Sequence, residues 1–163
     1  MSRRRLIPDP QIFATIVDLA VRQGERAVTF AAIARLCHLA APSLVQRYGS
    51  LTQMLTLAYG AEWDRITTAT NSAIAEMAEQ SRGPHTLLKS LTPISPSPAL
   101  LAASQRHAAL RDMASAWQST VIAALADLCG TPAAAILFAT WQGQVLWHGD
   151  KSFKLKDAVK TLA

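Results

Sequence analysis

Apolar residues recur at helical spacing along most of the 163-residue chain, and prolines and glycines divide it into helix-sized pieces. Phe13, Ile16, Val17 and Ala20 share one face of a helix predicted over about 10–23. Asp9 is placed to cap it, Pro10 suits its first position, and Gly24 stops it. Thr29 caps a short second helix over about 30–37, with Ile33, Leu36 and Cys37 facing inward. After the connection His38-Leu39-Ala40-Ala41, Pro42 opens a third short helix over about 42–48, and Gly49-Ser50 breaks the chain again.

A long helix is predicted over about 51–80 and a short one over about 85–91. Thr92 to Pro98 reads as a Pro/Ser loop, the segment with most freedom to move. Two long helices close the body, at about 99–129 and 132–148, joined by Gly130-Thr131-Pro132. So short a join makes them antiparallel neighbours. A final amphipathic stretch at about 152–162 carries Phe153, Leu155, Val159 and Leu162, and reads as a packed terminal helix rather than a membrane binder.

The pattern is all-α. Residues 1–50 read as a three-helix head and residues 51–163 as a helical-bundle body. Within the head, Ile33 and Cys37 on one short helix, Leu44 on the next and Leu39 in the turn converge on a small core. Ala34 is small enough for the two helices to cross closely. This is helix-turn-helix geometry, in which the second short helix lies in the major groove of DNA.

Charge strengthens that picture. Residues 1–50 carry seven Arg and three acids, a net +4, whereas residues 51–149 sum to −1 and 150–163 to +2. A basic head points to a polyanionic partner such as nucleic acid. Arg3, Arg4 and Arg5 suit a minor-groove arm, with a plain charged terminus as the alternative. On the recognition helix, Pro42, Ser43, Gln46 and Arg47 form the groove-facing set: Gln pairs with adenine, and Arg with guanine or phosphate. Tyr48 either donates its hydroxyl to a phosphate or closes the head core, and Thr29 caps its helix and is a candidate phosphate contact.

Residues 10–55 resemble the head of the TetR family of transcriptional regulators. The resemblance rests on Gly24, Thr29, Ile33-Ala34, Leu39, Leu44, Tyr48, Ser50 and Leu55 taken together, with Gln142-Gly143 a further match in the penultimate helix. It departs from the family at four places. His38 stands where the turn usually has Gly, and Ala40 replaces the usual Ser cap. Val45 and Leu51 replace a Tyr and a Lys that reach phosphates in the family. The resemblance implies a ligand-responsive repressor that binds a palindromic operator as a homodimer, with the dimer built from about 99–148. It also implies a pocket in the body, for which Trp63, Met77, Leu88, Met113 and Trp117 are candidate lining residues, and an apolar or aromatic effector. The long helix at 51–80 is then the lever between effector and head.

No catalytic constellation accompanies this. His85, His107 and His148 are scattered without metal-ligand spacing, and Ser95 and Ser97 lie in a proline loop without a glycine elbow. No phosphate-binding glycine loop is present. The expectation is therefore no enzyme, no cofactor and no metal. Cys37 and Cys129 are expected to be buried free thiols. With no signal-peptide pattern and no long apolar run, the chain is expected to be cytoplasmic and free of the membrane. Two other functions fit the same sequence: a DNA-binding protein without an effector, and a helical adaptor that has lost DNA binding.

Overall fold

The computed structural model describes residues 7–80, 82–147 and 155–162. Among these the backbone forms nine α-helices and two short 3₁₀ turns, with no strand. The helices are α1 (Asp9–Gln23), α2 (Phe30–Leu36), α3 (Ala41–Tyr48), α4 (Leu51–Glu79), α5 (Pro84–Leu91), α6 (Pro98–Arg106), α7 (Ala108–Cys129), α8 (Thr131–Leu146) and α9 (Leu155–Leu162). The all-α reading holds. The chain packs as two units, Met1–Asp64 with Pro98–Arg111, and Arg65–Ser97 with Asp112–Ala163.

In the first unit the core is supplied by Ile12, Ile16, Leu19 and Ala20 of α1, Ile33 and Ala34 of α2, and Leu44 and Tyr48 of α3. Met54, Ala58 and Tyr59 of α4 and Leu100 of α6 are also buried in this unit. Each large apolar side chain removed from water here contributes roughly 1.5–3 kcal/mol. The inward face of α1 is turned from the expected one. Phe13 and Val17 lie half-buried at its rim, while Ile12 and Leu19 take the centre. The apolar band of α1 is wider than one stripe, so periodicity alone did not settle its centre. On α2, Leu36 is 46% exposed and Ala34 is buried in its place.

Asp9 does not cap α1. Pro8 occupies that position, and Asp9 is the first helical residue, with its carboxylate turned to α3. In the body, Gly130, with φ 83°, precedes α8, so Thr131 and Pro132 are its first two residues. The stretch 92–98 contains a 3₁₀ turn over Thr92–Ile94 and a buried Pro96.

The helix expected over 99–129 is two helices, α6 and α7, broken at His107. Neither Pro nor Gly marks the break. Arg111 donates to the carbonyl oxygen of Gln105 at 2.7 Å, which satisfies an acceptor left at the end of α6.

In the second unit the indole rings carry much of the core. Trp117 of α7 packs against Phe138 and Trp141 of α8, at ring-centroid distances of 5.9 and 6.2 Å. The contacts join the two helices on either side of Gly130, as expected of antiparallel neighbours with a short join. The indole N–H of Trp117 donates to Thr70 at 2.9 Å, and that of Trp141 to Thr92 at 3.1 Å. Both satisfy a buried donor that would otherwise be destabilising by about 1–3 kcal/mol. Both cysteines are free; Cys37 is buried, and the half-buried Cys129 thiol donates to the Leu125 carbonyl at 3.1 Å.

Candidate nucleic-acid interface

The candidate interface consists of α2, the turn after it, and α3. Thr29 Oγ1 accepts from the Ala32 amide at 3.1 Å and caps α2. The helix ends in a Schellman arrangement: Leu39 N–H donates to Ala34 at 2.8 Å, and His38 N–H to Arg35 at 3.4 Å. That motif puts one residue in left-handed conformation, and here it is His38, with φ 52°. Histidine tolerates this better than a branched residue does, so the turn survives without glycine. Ala40 provides no side-chain cap for α3, and Pro42 sits in its first turn.

The end of α3 is a tight stop. Gly49 has φ 75° and ψ −65°, and Ser50 N–H reaches back to the Tyr48 carbonyl at 2.9 Å. This is a γ-turn of the rare, strained sense, which a Cβ would aggravate. Ser50 Oγ then accepts from Gln53 N–H at 3.1 Å and caps α4.

At about 100° per residue, Leu44 and Tyr48 of α3 point inward, and Gln46 lies opposite them with Pro42 one turn earlier. Pro42, Val45 and Gln46 are all exposed, and Ser43 is half-buried. Thr29 is also exposed. The structure therefore brings Pro42, Ser43 and Gln46 onto one outward face. Arg3, Arg4 and Arg5 lie outside the described residues.

Arg47 and Tyr48 are arranged differently from the groove-facing set. Arg47 Nη1 donates to the Ile7 carbonyl at 2.9 Å, and Nη2 lies 2.9 Å from Asp9 Oδ1. The Tyr48 hydroxyl donates to the same Asp9 oxygen. Tyr48 is 4% exposed, its ring lies 5.9 Å from that of Phe13, and the Arg47 guanidinium sits 5.6 Å above it. Burial first, and then the hydrogen bond to Asp9, hold the Tyr48 hydroxyl well above the usual phenol range. Sequence reading missed this cluster because its partners lie 39 and 40 residues apart. An acid at the head of one helix, facing Arg-Tyr at the tail of another, was the only signal available.

A second cluster joins the end of α1 to α6. Glu25 accepts from the Tyr59 hydroxyl at 3.3 Å and pairs with Arg106. Burial, followed by the nearby Glu25 charge, pushes the Tyr59 hydroxyl up to about 12.

The five candidate pocket residues are divided between the two units. Trp63 is buried in the first unit, where its indole N–H donates to Ser104 at 3.0 Å. Leu88 and Trp117 are buried core of the second unit, and Met113 is half-buried there. Met77 borders an apolar recess of about 100 Å³, shared with Ile74, Leu87, Ala124, Asp127 and Leu128. Ile74, Leu87 and Leu128 were not among the residues the sequence offered for a pocket. His85 and His107 are half-buried, and His148 lies outside the described residues. Among the described residues, no cluster of three or more His, Cys, Asp or Glu is placed to hold a metal ion, and no helix is long and apolar enough to cross a membrane.

No family model matches the chain, and no curated protein matches it either. Among solved structures, the chain is similar to a crystal structure described as that of a candidate transcriptional regulator, SCO7518, from Streptomyces coelicolor A3(2). The TM-score is 0.62 and the identity 18%, over 96% of this chain and 97% of that one. At that identity the likeness concerns the fold: this chain has the helical architecture of that candidate regulator.

Proposed function

We propose that this chain is a DNA-binding transcriptional regulator, with residues 1–50 as the DNA-binding part and 51–163 as the regulatory and dimerisation part. The observation that carries the reading is the α2–turn–α3 unit: a capped helix, a left-handed turn at His38, and a second helix whose outward face offers Pro42 and Gln46. The net +4 of residues 1–50 and the architecture shared with a candidate regulator support it. In this reading α3 enters the major groove with Pro42, Ser43 and Gln46 toward it, Thr29 approaches the backbone, and Arg3–Arg5 add sequence-independent affinity. The TetR family is the one the head resembles, and repression from a palindromic operator is the mode that resemblance suggests.

The regulatory part of the proposal is a homodimer formed through α7 and α8, responding to a small apolar or aromatic effector. Exposed Leu128, Ile136 and Leu146 on these helices support the dimer. Met77 is the effector candidate that borders a recess, and about 100 Å³ limits an occupant of this conformation to a few heavy atoms. Ligand pockets ordinarily hold roughly 300–1,000 Å³. An effector acts only by binding one arrangement of the protein better than another.

A second reading, an adaptor without DNA binding, draws on one observation. Arg47 is held by Asp9 and Ile7, while Val45 and Leu51 stand where the family has phosphate contacts. A mobility-shift titration with the promoter region beside the protein's own gene separates the two. Retardation that weakens steeply with added salt supports the regulator. No retardation at low salt overturns it in favour of the adaptor.

A further inference from the structure

We infer that the half-site read by α3 is built from A·T pairs, with Val45 against a thymine methyl and Gln46 on adenine. This rests on the proposal that α3 enters the major groove. Its starting point is a difference between two neighbours on one helix. The α3 helix carries a single Arg, and both terminal nitrogens of Arg47 already have partners, the Ile7 carbonyl and the Asp9 carboxylate. A guanine presents two acceptors, N7 and O6, and the side chain suited to both is an Arg with a free fork. To read guanine, Arg47 would have to leave both contacts and its place over the Tyr48 ring.

What α3 offers outward instead is neutral. Pro42 and Gln46 are exposed, and Val45 is 44% exposed on the flank next to them. A lone exposed Val is unremarkable on a protein surface. On the groove face of a helix it acquires a meaning, because thymine is the base that presents a methyl group in the major groove. The Gln46 amide presents an acceptor oxygen to adenine N6–H and a donor N–H to adenine N7. Val45 and Gln46 are adjacent in sequence, about 100° apart around the helix, so they address neighbouring base pairs rather than the same one. Arg47 then contributes by holding α3 against the start of α1, and Val45, which replaces a phosphate anchor in the family the head resembles, becomes a specificity determinant.

The test is selection of duplexes from a random pool by the full chain, followed by base-analogue substitution in the selected site. Uracil for thymine removes only the C5 methyl, and 7-deazaguanine for guanine removes only N7. The expected half-site is dominated by A·T pairs. Uracil at the contacted position weakens binding about fourfold for one buried methyl. The Val45→Ala variant binds thymine and uracil duplexes equally, and 7-deazaguanine leaves the wild-type affinity unchanged. Guanine-centred half-sites that are sensitive to 7-deazaguanine and lost in Arg47→Ala would overturn the inference while leaving the regulator reading intact. Equal binding of thymine and uracil duplexes by the wild type would do the same. Retention of no duplex at all would overturn both.

Discussion

Tyr48, in the last turn of α3, donates its hydroxyl to Asp9 in the first turn of α1, on the same carboxylate oxygen that pairs with Arg47. One acid thus fixes the tail of the proposed recognition helix to the beginning of the chain's first helix. Asp9→Ala is expected to destabilise the protein by roughly 1–2 kcal/mol, mainly through the hydroxyl left without its acceptor. The half-exposed ion pair adds little to this. Asp9→Asn keeps an acceptor and should recover most of the loss. Urea unfolding measures both, and an unchanged midpoint for Asp9→Ala contradicts the arrangement.

His38 holds φ 52° in the turn between α2 and α3. His38→Gly should relieve left-handed strain of about 1 kcal/mol, partly offset by the greater freedom of glycine in the unfolded chain, for a net gain of about 0.5 kcal/mol. His38→Val should lower stability, because a β-branched residue resists this conformation. Thermal melting of the two variants should bracket the wild type. A less stable glycine variant contradicts the strain argument.

The Tyr59 hydroxyl, buried beside Glu25, is pushed up to about 12. Well below pH 10 it is protonated in both folded and unfolded chains, and its contribution is constant. Between pH 10 and 12 the unfolded chain releases the proton first, so stability falls as pH rises. Tyr48 is raised as well and adds in the same direction. Tyr59→Phe removes one of these groups and should flatten the alkaline decline of the urea midpoint. An unchanged slope above pH 10 would show that Tyr59 titrates normally in the folded protein.

The sequence made most of the head legible. Thr29, Pro42 and the glycines at 24 and 49 are local signals, and each acts within a turn of its own position. The outward position of Gln46 and Pro42 on α3 follows from helical spacing, with Leu44 and Tyr48 turned inward. The roles of Arg47 and Asp9 were not legible, because each depends on a partner on another helix. Asp9 has the composition of a cap, but Pro8 precedes it with extended backbone, and the carboxylate has a better use in receiving Tyr48. The break at His107 left no mark in composition: neither Pro nor Gly stands there, and Arg111 reaches a carbonyl near the end of α6. In the body, Trp63, Leu88 and Trp117 were large apolar residues that could line a pocket or fill a core; here they are buried, and the two indoles are hydrogen-bonded to hydroxyls.

On α8, Ile136 is 51% exposed and Leu146 38% exposed, ten residues apart on a helix whose Leu137, Phe138 and Trp141 are buried. If they meet a second copy across a two-fold axis, light scattering should give about twice the 17.5 kDa chain mass at micromolar concentration. Ile136→Glu should shift the chain toward the monomer with little effect on unfolding measured at low concentration. A wild-type monomer under these conditions removes the dimer from the account.

The outward face of α3 is the part proposed to read bases. The most direct test is the affinity of wild type and Gln46→Ala for the operator and for random duplex of the same length, at one salt concentration. The wild type should prefer the operator, with half-sites about one helical turn apart, roughly 34 Å. Gln46→Ala should lose about 1–3 kcal/mol on the operator, roughly five- to 150-fold, and keep its affinity for random DNA, because phosphate contacts do not involve that amide. Equal loss on both duplexes, or no preference by the wild type, would contradict a reading face built on Gln46.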